Sequence, residues 1–320
     1  METESPVLAT RILAGVIGDP IAHSLSPKLH GWWLERYRVP GEYAAWRVTA
    51  EELGAFLASL PERGIAGVSV TMPHKETIIP HLDFLDEAAS MIGAVNTVVV
   101  KDGKLYGRNT DVYGFVTHLQ EQTKNRDFRG KKAVILGAGG AARAICAGLL
   151  GAPLSFRELV IINRTREKAE RLKEEIRAGI TAMLKRDTGN GQKEISSGVD
   201  HFVSEIIIAD WEDRENTLKG ANLLVNTTSL GMKGHEPLLI DISNLPNNAV
   251  VYDIVTNPQE TALLQAARAR ALPAVDGLGM LLHQAAPAFK AWYDPEDRYF
   301  SGLPEVTQEM REFVIEGIRI

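Results

Sequence analysis

The chain has 320 residues, of which 45% are hydrophobic and 24% are charged, and its formal net charge is −6. A chain of this length is expected to form two domains, each with its own core. The negative net charge and the lack of a long Lys/Arg run argue against nucleic acid or an anionic membrane as the main partner. The single cysteine, Cys146, excludes an intrachain disulfide. Residues 1–20 resemble neither a signal peptide nor a membrane span, so we expect a cytoplasmic protein.

The first 110 residues mix short strands and helices. A strand is predicted over 11–18, and Ser26 is placed to cap the helix that follows it. Another strand is predicted over 66–72, where apolar residues alternate with small or hydroxyl-bearing ones. A β-hairpin is predicted to turn at Asp102 and Gly103.

From residue 131 onward, short apolar segments alternate with helical ones. The strand candidates are KAVIL, ELVII, EIIIADW, ANLLVN and NAVVYDIV. This alternation indicates a parallel sheet with helices on both faces. The polar segment 185–200 is predicted to be an exposed insertion, and the chain is predicted to be helical after residue 277.

A glycine-rich turn follows the first of these strands. In VILGAGGAARA, Gly137, Gly139 and Ala142 have the G-x-G-x-x-G/A spacing, directly after an apolar strand and at the start of a helix. Such glycines allow a tight turn and close approach of a pyrophosphate, while the helix N-terminus offers free N–H groups to the anion. We expect a dinucleotide site here rather than a chance glycine turn.

The end of the second strand of this region indicates which dinucleotide binds. An NAD site usually has an acidic residue there, whereas this chain has Asn163, Arg164 and Thr165, followed by Arg166 and Lys168. An arginine can donate charge-assisted hydrogen bonds to a 2′-phosphate. The alternative, ordinary helix-start residues, is weaker because cations are unfavourable near a helix N-terminus. The sequence therefore favours NADP over NAD.

Four polar clusters in or just after the first 110 residues follow apolar runs: HSLSP, VTMPHK, GAVNTV and GRNTDVYG. One such cluster would be an ordinary turn, but four suggest a substrate-binding surface. With GAGGAARA, NRT, NTTSLGM and DGLGMLLHQAAPAF they occur in the motif order of the shikimate dehydrogenase family, which the chain resembles over nearly its whole length.

The resemblance implies an α/β fold with a discontinuous substrate-binding domain, residues 1–110 and 277–320, beside a Rossmann-type doubly wound NADP-binding domain, residues 111–276. The cleft between these domains would hold the reaction. The implied activity is the reversible, NADP-dependent reduction of 3-dehydroshikimate to shikimate in aromatic amino-acid (chorismate) biosynthesis.

The resemblance also implies roles for individual residues. The substrate carboxylate would be held by Ser24 and Ser26, and the ring hydroxyls by Thr71, Asn96, Asp111 and Gln284. The cofactor would be bound by Gly137, Ala138, Gly139, Gly140 and Ala141 at the pyrophosphate, by Asn163, Arg164 and Thr165 at the 2′-phosphate, and by Gly277 and Met280 near the nicotinamide. Lys75 and Asp111 would contact the substrate and form the catalytic pair.

The chemistry of ketone reduction gives Lys75 a role. Hydride addition to a ketone creates an alkoxide, which an ammonium group can stabilise and protonate. A nearby Asp111 would keep the lysine charged. Free lysine, with a pKa of about 10.4, is a poor base near neutral pH, so shikimate oxidation is expected to accelerate as the pH rises. The alternative is that Lys75 is a solvated turn residue.

Other functions stay open from the sequence. A quinate or dual quinate/shikimate dehydrogenase is one alternative, since Thr256 stands where the family commonly has a Tyr that touches the substrate. Gly31 and Lys168 also depart from the commonest family pattern. A non-catalytic, ligand-sensing relative is a less favoured alternative, because Lys75 and Asp111 are both retained.

No metal or macromolecular partner is expected, and a homodimer is left open. The histidines of the first 110 residues match no zinc-ligand spacing; they are His23, His30, His74 and His81.

Overall fold

The structure of this chain is a computed structural model that describes residues 11–187 and 205–316, without the side chains of 182–187. Of the polar segment 185–200, only the backbone of 185–187 lies within the described residues. Contacts divide the chain into two units. The first comprises the described parts of 1–85, 95–108 and 285–320, and the second comprises 86–94 and the described parts of 109–284.

Twelve strands and eleven α-helices are found in the described residues. In chain order the strands are β1 (Ile12–Gly18), β2 (Gly41–Arg47), β3 (Ile65–Val70), β4 (Phe84–Leu85), β5 (Thr97–Lys101), β6 (Lys104–Arg108), β7 (Lys132–Leu136), β8 (Glu158–Ile162), β9 (Glu205–Ala209), β10 (Leu223–Asn226), β11 (Val250–Asp253) and β12 (Ala274–Val275). The helices are α1 (Ser26–Arg36), α2 (Leu53–Ser59), α3 (His74–Thr77), α4 (Glu87–Ile92), α5 (Asp111–Gln122), α6 (Gly140–Leu150), α7 (Arg166–Asp187), α8 (Arg214–Thr217), α9 (Ala262–Ala269), α10 (Leu278–Tyr293) and α11 (Gln308–Glu316).

The first unit contains a mixed sheet with the strand order β2-β1-β3-β5-β6-β4. Strand β1 pairs in parallel with β2 and β3, and β5 is antiparallel to both β3 and β6. The predicted hairpin is confirmed: Asp102 and Gly103 join β5 to β6 with φ values of 52° and 72°. Two consecutive positive φ values match the twist of the flanking strands, which is why an Asp-Gly pair is favoured there.

The second unit contains a six-stranded sheet with the order β12-β11-β10-β7-β8-β9, and every pairing in it is parallel. When the strands are numbered within this unit and the sheet is followed from β9 to β12, the order is 3-2-1-4-5-6, the doubly wound arrangement of dinucleotide-binding domains. The parallel sheet predicted from the alternating pattern is confirmed. Two clusters of buried apolar side chains flank its strands, one including Ile135 and Ile161 and the other Leu136 and Ile162. Both faces are therefore covered, as continuous apolar strands require.

The predicted Ser26 cap is wrong: helix α1 begins one residue earlier than that cap would require, since Ser26 is its first residue and Leu25 is in the cap position. Helix α4 is absent from the sequence prediction. Its cap is the carboxylate of Asp86, which accepts a 2.7 Å hydrogen bond from the N–H of Ala89, and it ends at Gly93 with φ 69°. An acidic N-cap and a left-handed glycine are sufficient to define even this six-residue helix.

The division by contacts differs from the predicted domain boundaries in two places. Residues 86–94, with α4, group with the second unit, and the division passes through α10 after Gln284. One reason is that α4 packs on α7, where a side chain added at Gly179 would meet the carbonyl oxygen of Met91 at 2.5 Å. The functional boundaries at 110/111 and 276/277 stay a prediction.

Candidate active site

Ser24 and Ser26 lie between the carboxyl end of β1 and the first turn of α1. The backbone N–H of Ser26 donates a 3.3 Å hydrogen bond to Ser24 Oγ, which leaves the Ser24 hydroxyl proton able to point elsewhere. Ser26 is buried and Ser24 is partly buried. Two hydroxyl donors at the start of an eleven-residue helix, where the dipole favours negative charge, suit a carboxylate.

Thr71 and Lys75 follow the carboxyl end of the neighbouring strand, β3. The N–H of Thr71 donates to the carbonyl of Ile17 on β1 at 3.0 Å. The next turn forms α3, anchored by the buried ring of His74, whose Nε2 lies 2.6 Å from the carbonyl oxygen of Val48. Lys75 is partly exposed on this anchored helix. Strand β3 is therefore followed by a short helix that carries Lys75, and the contact of His74 fixes the position of this helix.

Asn96 precedes β5 and is buried, with 3% of its surface exposed. Its carbonyl accepts from the N–H of Val70 at 2.7 Å, and its N–H donates to the carbonyl of Arg108 at 3.1 Å. One residue earlier, the N–H of Val95 donates to the carbonyl of Lys75 at 2.7 Å. These backbone bonds tie the Asn96 segment to the turn that carries Lys75.

The strand directions of the first sheet bring these side chains to one edge. The carboxyl ends of the parallel strands β1 and β3 lie at the same edge, and the amino end of the antiparallel β5 lies there as well. Five of the predicted substrate residues are located at this edge: Ser24, Ser26, Thr71, Lys75 and Asn96.

Asp111 and Gln284 belong to the second unit. Asp111 is the first residue of α5 and is buried, with 4% of its surface exposed, and its N–H donates to Asn109 Oδ1 at 3.0 Å. Gln284 lies on α10, where its Oε1 accepts from the hydroxyl of Thr110 at 3.4 Å. Gly114 allows this approach, because a Cβ added there would lie 2.7 Å from the Cβ of Gln284. The structure therefore brings Asp111 and Gln284 to neighbouring turns of packed helices.

The predicted glycine turn lies between β7 and α6. Gly137 has φ 113°, and a Cβ added to it would lie 2.3 Å from Thr227 Oγ1. That hydroxyl donates to the carbonyl of Leu136 at 2.7 Å. Thr227 directly follows β10, the strand that neighbours β7 at the point where the sheet order reverses. Ligands of doubly wound sheets bind at this reversal, outside the carboxyl ends of the strands.

The next residues of the turn leave room for a ligand. A Cβ added at Gly139 would meet no atom of the described chain within 4 Å, and Gly139 is exposed. Gly140 and Ala141 open helix α6, whose first amide N–H groups have no partner within the helix. Ala138 is buried beneath the turn. These residues fit the pyrophosphate of a dinucleotide, since the backbone is uncovered where an anion would accept its hydrogen bonds.

Asn163, Arg164 and Thr165 follow β8 at the same edge of the sheet. The amide of Asn163 donates to the carbonyl of Thr165 at 2.8 Å, which closes the turn. Arg164 is exposed, and within residues 11–187 and 205–316 it forms no ion pair. Arg166 differs, because it pairs with Glu170 at 2.9 Å and with Asp210 at 2.6 Å. Arg164 is thus the arginine of this segment whose guanidinium is not already held by a carboxylate of the described residues.

Gly277 and Met280 lie where β12 leads into α10. A Cβ at Gly277 would lie 2.2 Å from the carbonyl oxygen of Ile254, so the chain passes too close to β11 for any side chain. The carboxylate of Asp276 accepts from the N–H of Leu278 at 2.9 Å and caps α10. Met280 is buried, with 7% of its surface exposed.

A buried polar network at the ends of β10 and β11 was missed in the sequence analysis. Asp253 Oδ1 accepts from Asn226 Nδ2 at 2.9 Å, and Asp253 Oδ2 accepts from the hydroxyl of Thr261 at 2.7 Å. Asn226 Oδ1 accepts from the N–H and the hydroxyl of Thr228. Burial raises the pKa of Asp253, and these hydrogen bonds oppose the rise. The signal in the sequence that could have revealed this network was a polar residue at the end of each of two apolar strands, Asn226 of β10 and Asp253 of β11.

Arg143, on the buried face of α6, was also missed. It forms an ion pair with Glu175 of α7, so it joins the helix of the glycine motif to the next helix. The residues that the structure describes contain no cluster of three or more His, Cys, Asp and Glu side chains that could hold a metal ion.

The doubly wound sheet, the open glycine turn at its reversal point and the arginine after the second strand define a two-unit α/β protein with a dinucleotide-binding unit. Residues 16–98 match the model of the shikimate dehydrogenase substrate-binding domain, and residues 118–190 match that of shikimate/quinate 5-dehydrogenase. Shikimate dehydrogenase (NADP(+)) of Paramagnetospirillum magneticum is 43% identical over 304 residues, which is 95% of this chain and 98% of that protein. The chain belongs to the shikimate dehydrogenase family.

Solved structures agree with this assignment. A shikimate dehydrogenase in complex with NADP+ has a TM-score of 0.81 and 33% identity, over 97% of this chain and 96% of the other. A shikimate 5-dehydrogenase of Thermus thermophilus in complex with NADP(H) and shikimate has a TM-score of 0.75 and 32% identity, over 96% of this chain and 99% of the other. The resemblance inferred from the motifs is confirmed, and so is the α/β fold class.

Proposed function

We propose that this chain catalyses the reversible, NADP-dependent reduction of 3-dehydroshikimate to shikimate in aromatic amino-acid biosynthesis. The observation that carries the proposal is the 43% identity to a shikimate dehydrogenase (NADP(+)) over 95% of the chain. The glycine turn at the sheet reversal supports the dinucleotide, and the exposed Arg164 supports NADP in particular. We place the activity in the cytoplasm. Separately, none of the helices in residues 11–187 and 205–316 has the length and apolar character of a membrane span.

The residues take the following parts in this proposal. Bound NADPH supplies the hydride. The hydroxyls of Ser24 and Ser26 donate to the substrate carboxylate, supported by their place at the start of α1. The ring hydroxyls are bound by Thr71, Asn96, Asp111 and Gln284.

The 2′-phosphate is bound by Asn163, Arg164 and Thr165, and the pyrophosphate by the backbone of 137–141. Gly277 and Met280 lie near the nicotinamide in the proposed complex, since they follow the carboxyl end of β12, at the edge of the sheet where dinucleotides bind.

Lys75 is the proposed proton donor in the reducing direction, and it forms the catalytic pair with Asp111 that the family resemblance implies. An ammonium group both stabilises the alkoxide that develops on the substrate and protonates it. In the oxidising direction a neutral Lys75 accepts the hydroxyl proton, so the oxidation rate is expected to rise with pH. The anchored backbone of α3 supports this role, because a general acid must be held within reach of its proton acceptor.

Replacement of Lys75 tests this role. Lys75→Ala should lower kcat at least about 100-fold, since general acid catalysis alone is typically worth about 10²- to 10⁴-fold. The KM for NADP should stay near that of the parent. Lys101→Ala is the matched control, because Lys101 is an exposed lysine at the far end of β5. A kcat within a few-fold of the parent at several pH values would reduce Lys75 to a solvated turn residue.

Steady-state assays with shikimate and quinate, each with NADP and NAD, test the function itself. Turnover of shikimate with NADP should exceed the other three combinations. Preferred turnover of quinate would favour the quinate dehydrogenase alternative, and binding without turnover would favour the ligand-sensing one. Light scattering of the purified protein tests whether it forms a homodimer.

A further inference from the structure

A buried histidine of α5 forms a hydrogen bond with a buried tyrosine of the second sheet. Nδ1 of His118 lies 2.8 Å from the hydroxyl oxygen of Tyr252, on β11. His118 is 2% exposed and Tyr252 is 0% exposed. Buried polar groups have given up their hydrogen bonds to water, so each of these two groups needs a partner inside the protein. Neither residue is among the proposed ligands of the substrate or the cofactor.

The ring of His118 lies against a glycine of α10. A Cβ added at Gly279 would lie 2.1 Å from two atoms of that ring, Cδ2 and Nε2. Because a Cβ atom cannot approach so closely, only a glycine lets the ring contact the backbone of α10 directly. The bond to Tyr252 fixes the orientation of the ring. His118 therefore connects α5, α10 and β11 at one point.

The same two helices make a contact on either side of this histidine. Nearer the start of α5, a Cβ added at Gly114 would lie 2.7 Å from the Cβ of Gln284. Near the end of α5, Glu121 Oε2 lies 2.9 Å from Nε2 of His283. Residues 114, 118 and 121 are spaced by three or four positions, so they lie on one face of α5, and this face packs along α10.

These helices also carry two of the proposed substrate ligands. Asp111 lies seven residues before His118, which is close to two helical turns, so both side chains extend from the same side of α5. On α10, Gln284 lies five residues after Gly279. A rotation or shift of α10 against the ring of His118 would therefore move the amide of Gln284 relative to Asp111.

We propose that His118, held by Tyr252, is a positioning residue for the substrate: it fixes α10 against α5 and so sets the position of the Gln284 amide. This proposal rests on the proposed function of the chain, because it takes Gln284 as a ligand of the ring hydroxyls. Cofactor affinity is not affected, since the proposed ligands of the pyrophosphate and the 2′-phosphate follow β7 and β8.

Tyr252→Phe tests this role, because it removes the hydroxyl and keeps the ring. Loss of one neutral hydrogen bond corresponds to about a 2- to 10-fold change in affinity. We expect the KM for shikimate to rise by about that factor. The Kd of NADP, measured by calorimetric titration, should stay at the parent value.

Tyr293→Phe is the matched control. Tyr293 is also buried and is the last residue of α10, but its hydroxyl donates to the backbone carbonyl of Glu42 at 2.6 Å. This change should lower the melting temperature and leave the KM for shikimate unchanged. His118→Asn is the second test variant if Tyr252→Phe does not fold. It removes the ring that lies on Gly279, and the same rise in KM is expected.

A further measurement separates positioning from a general loss of stability. If Tyr252 acts on the substrate through Gln284, its hydroxyl matters only while the Gln284 amide is present. Tyr252→Phe should therefore raise the KM for shikimate in the parent and leave it unchanged in a Gln284→Ala background, because residues that act through one contact are not additive. A general loosening of the second unit would raise the KM by the same factor in both backgrounds.

An unchanged KM for shikimate in the folded test variant would overturn the proposal. So would an equal rise in Tyr293→Phe, an equal rise with and without the Gln284 amide, or a matching loss of NADP affinity. A parent enzyme that does not oxidise shikimate would instead refute the proposed function.

Discussion

Two glycines of the nucleotide turn are predicted to respond in opposite ways to the same substitution. Gly137 has φ 113°, and an added Cβ would lie 2.3 Å from Thr227 Oγ1. Gly139 has φ −96° and ψ −170°, which any residue can adopt, and an added Cβ would meet nothing of the described chain within 4 Å. Gly137→Ala should therefore damage the fold, whereas Gly139→Ala should damage cofactor binding.

The magnitudes follow from the geometry. A residue held in a sparsely populated φ/ψ region costs about 1–3 kcal/mol, and the clash with Thr227 adds to this cost at position 137. A loss of about 2–3 kcal/mol corresponds to a fall in melting temperature of about 4–12 °C for a domain of about 150–250 residues. At position 139 the backbone is relaxed, so the expected loss of stability is below about 1 kcal/mol.

The effect on NADP at position 139 comes from the added methyl group. It would occupy the space in which we place the pyrophosphate, and NADP affinity should fall about 10- to 100-fold, which is about 1.4–2.8 kcal/mol. Calorimetric titration with NADP and a thermal melt of both variants in the absence of cofactor measure the two effects. If Gly139→Ala binds NADP like the parent, the pyrophosphate does not lie against this turn. If Gly137→Ala melts like the parent, the argument from the positive φ value and the clash is wrong.

Three further outcomes are expected. Arg164→Ala should weaken NADP binding about 10- to 100-fold with little change for NAD, because a hydrogen bond to a charged group is worth about 1.5–3 kcal/mol. Arg166→Ala is the control. Equal losses of affinity for both cofactors would show that Arg164 has a structural role instead. Burial lowers the pKa of His30 to about 3, so the unfolded chain binds the extra proton below about pH 6.5 and stability falls as the pH falls. Between pH 6.5 and 5 the loss of stability contributed by His30 is about 2 kcal/mol. The melting temperature of His30→Phe should therefore fall less than that of the parent over this pH range. An equal fall in the two proteins would contradict this role of His30. Burial raises the pKa of the Cys146 thiol to about 12, so Ellman's reagent at pH 8 should label Cys146 only after a denaturant is added, and rapid labelling of the native protein would show that the thiol is accessible.

Several features of the fold were determined by local sequence. The hairpin at Asp102-Gly103 was predicted because few residue pairs adopt two positive φ values, and these two do. The turn at Gly137 was predicted because an apolar strand, a glycine spacing and a helix occur together. Each of these depends on neighbours within about ten residues, so composition and spacing are sufficient.

The order of the strands, the grouping of α4 and the burial of individual polar groups were decided by the tertiary structure. Helix α4 lies within the segment predicted for the substrate domain, yet it packs against α7, about ninety residues later in the chain. In the sequence, Asp253 resembles an ordinary residue at the end of a strand. The pairing of β10 with β11, which the sequence does not show, places the amide of Asn226 next to its carboxylate. The hydroxyl of Tyr43 on β2 donates to Ser69 Oγ on β3 across the intervening strand β1, a contact that depends on the order of the strands. Local pattern specifies the period and the turns of the chain, whereas pairing between distant segments is set by which apolar faces can be buried together, and this depends on the whole chain at once.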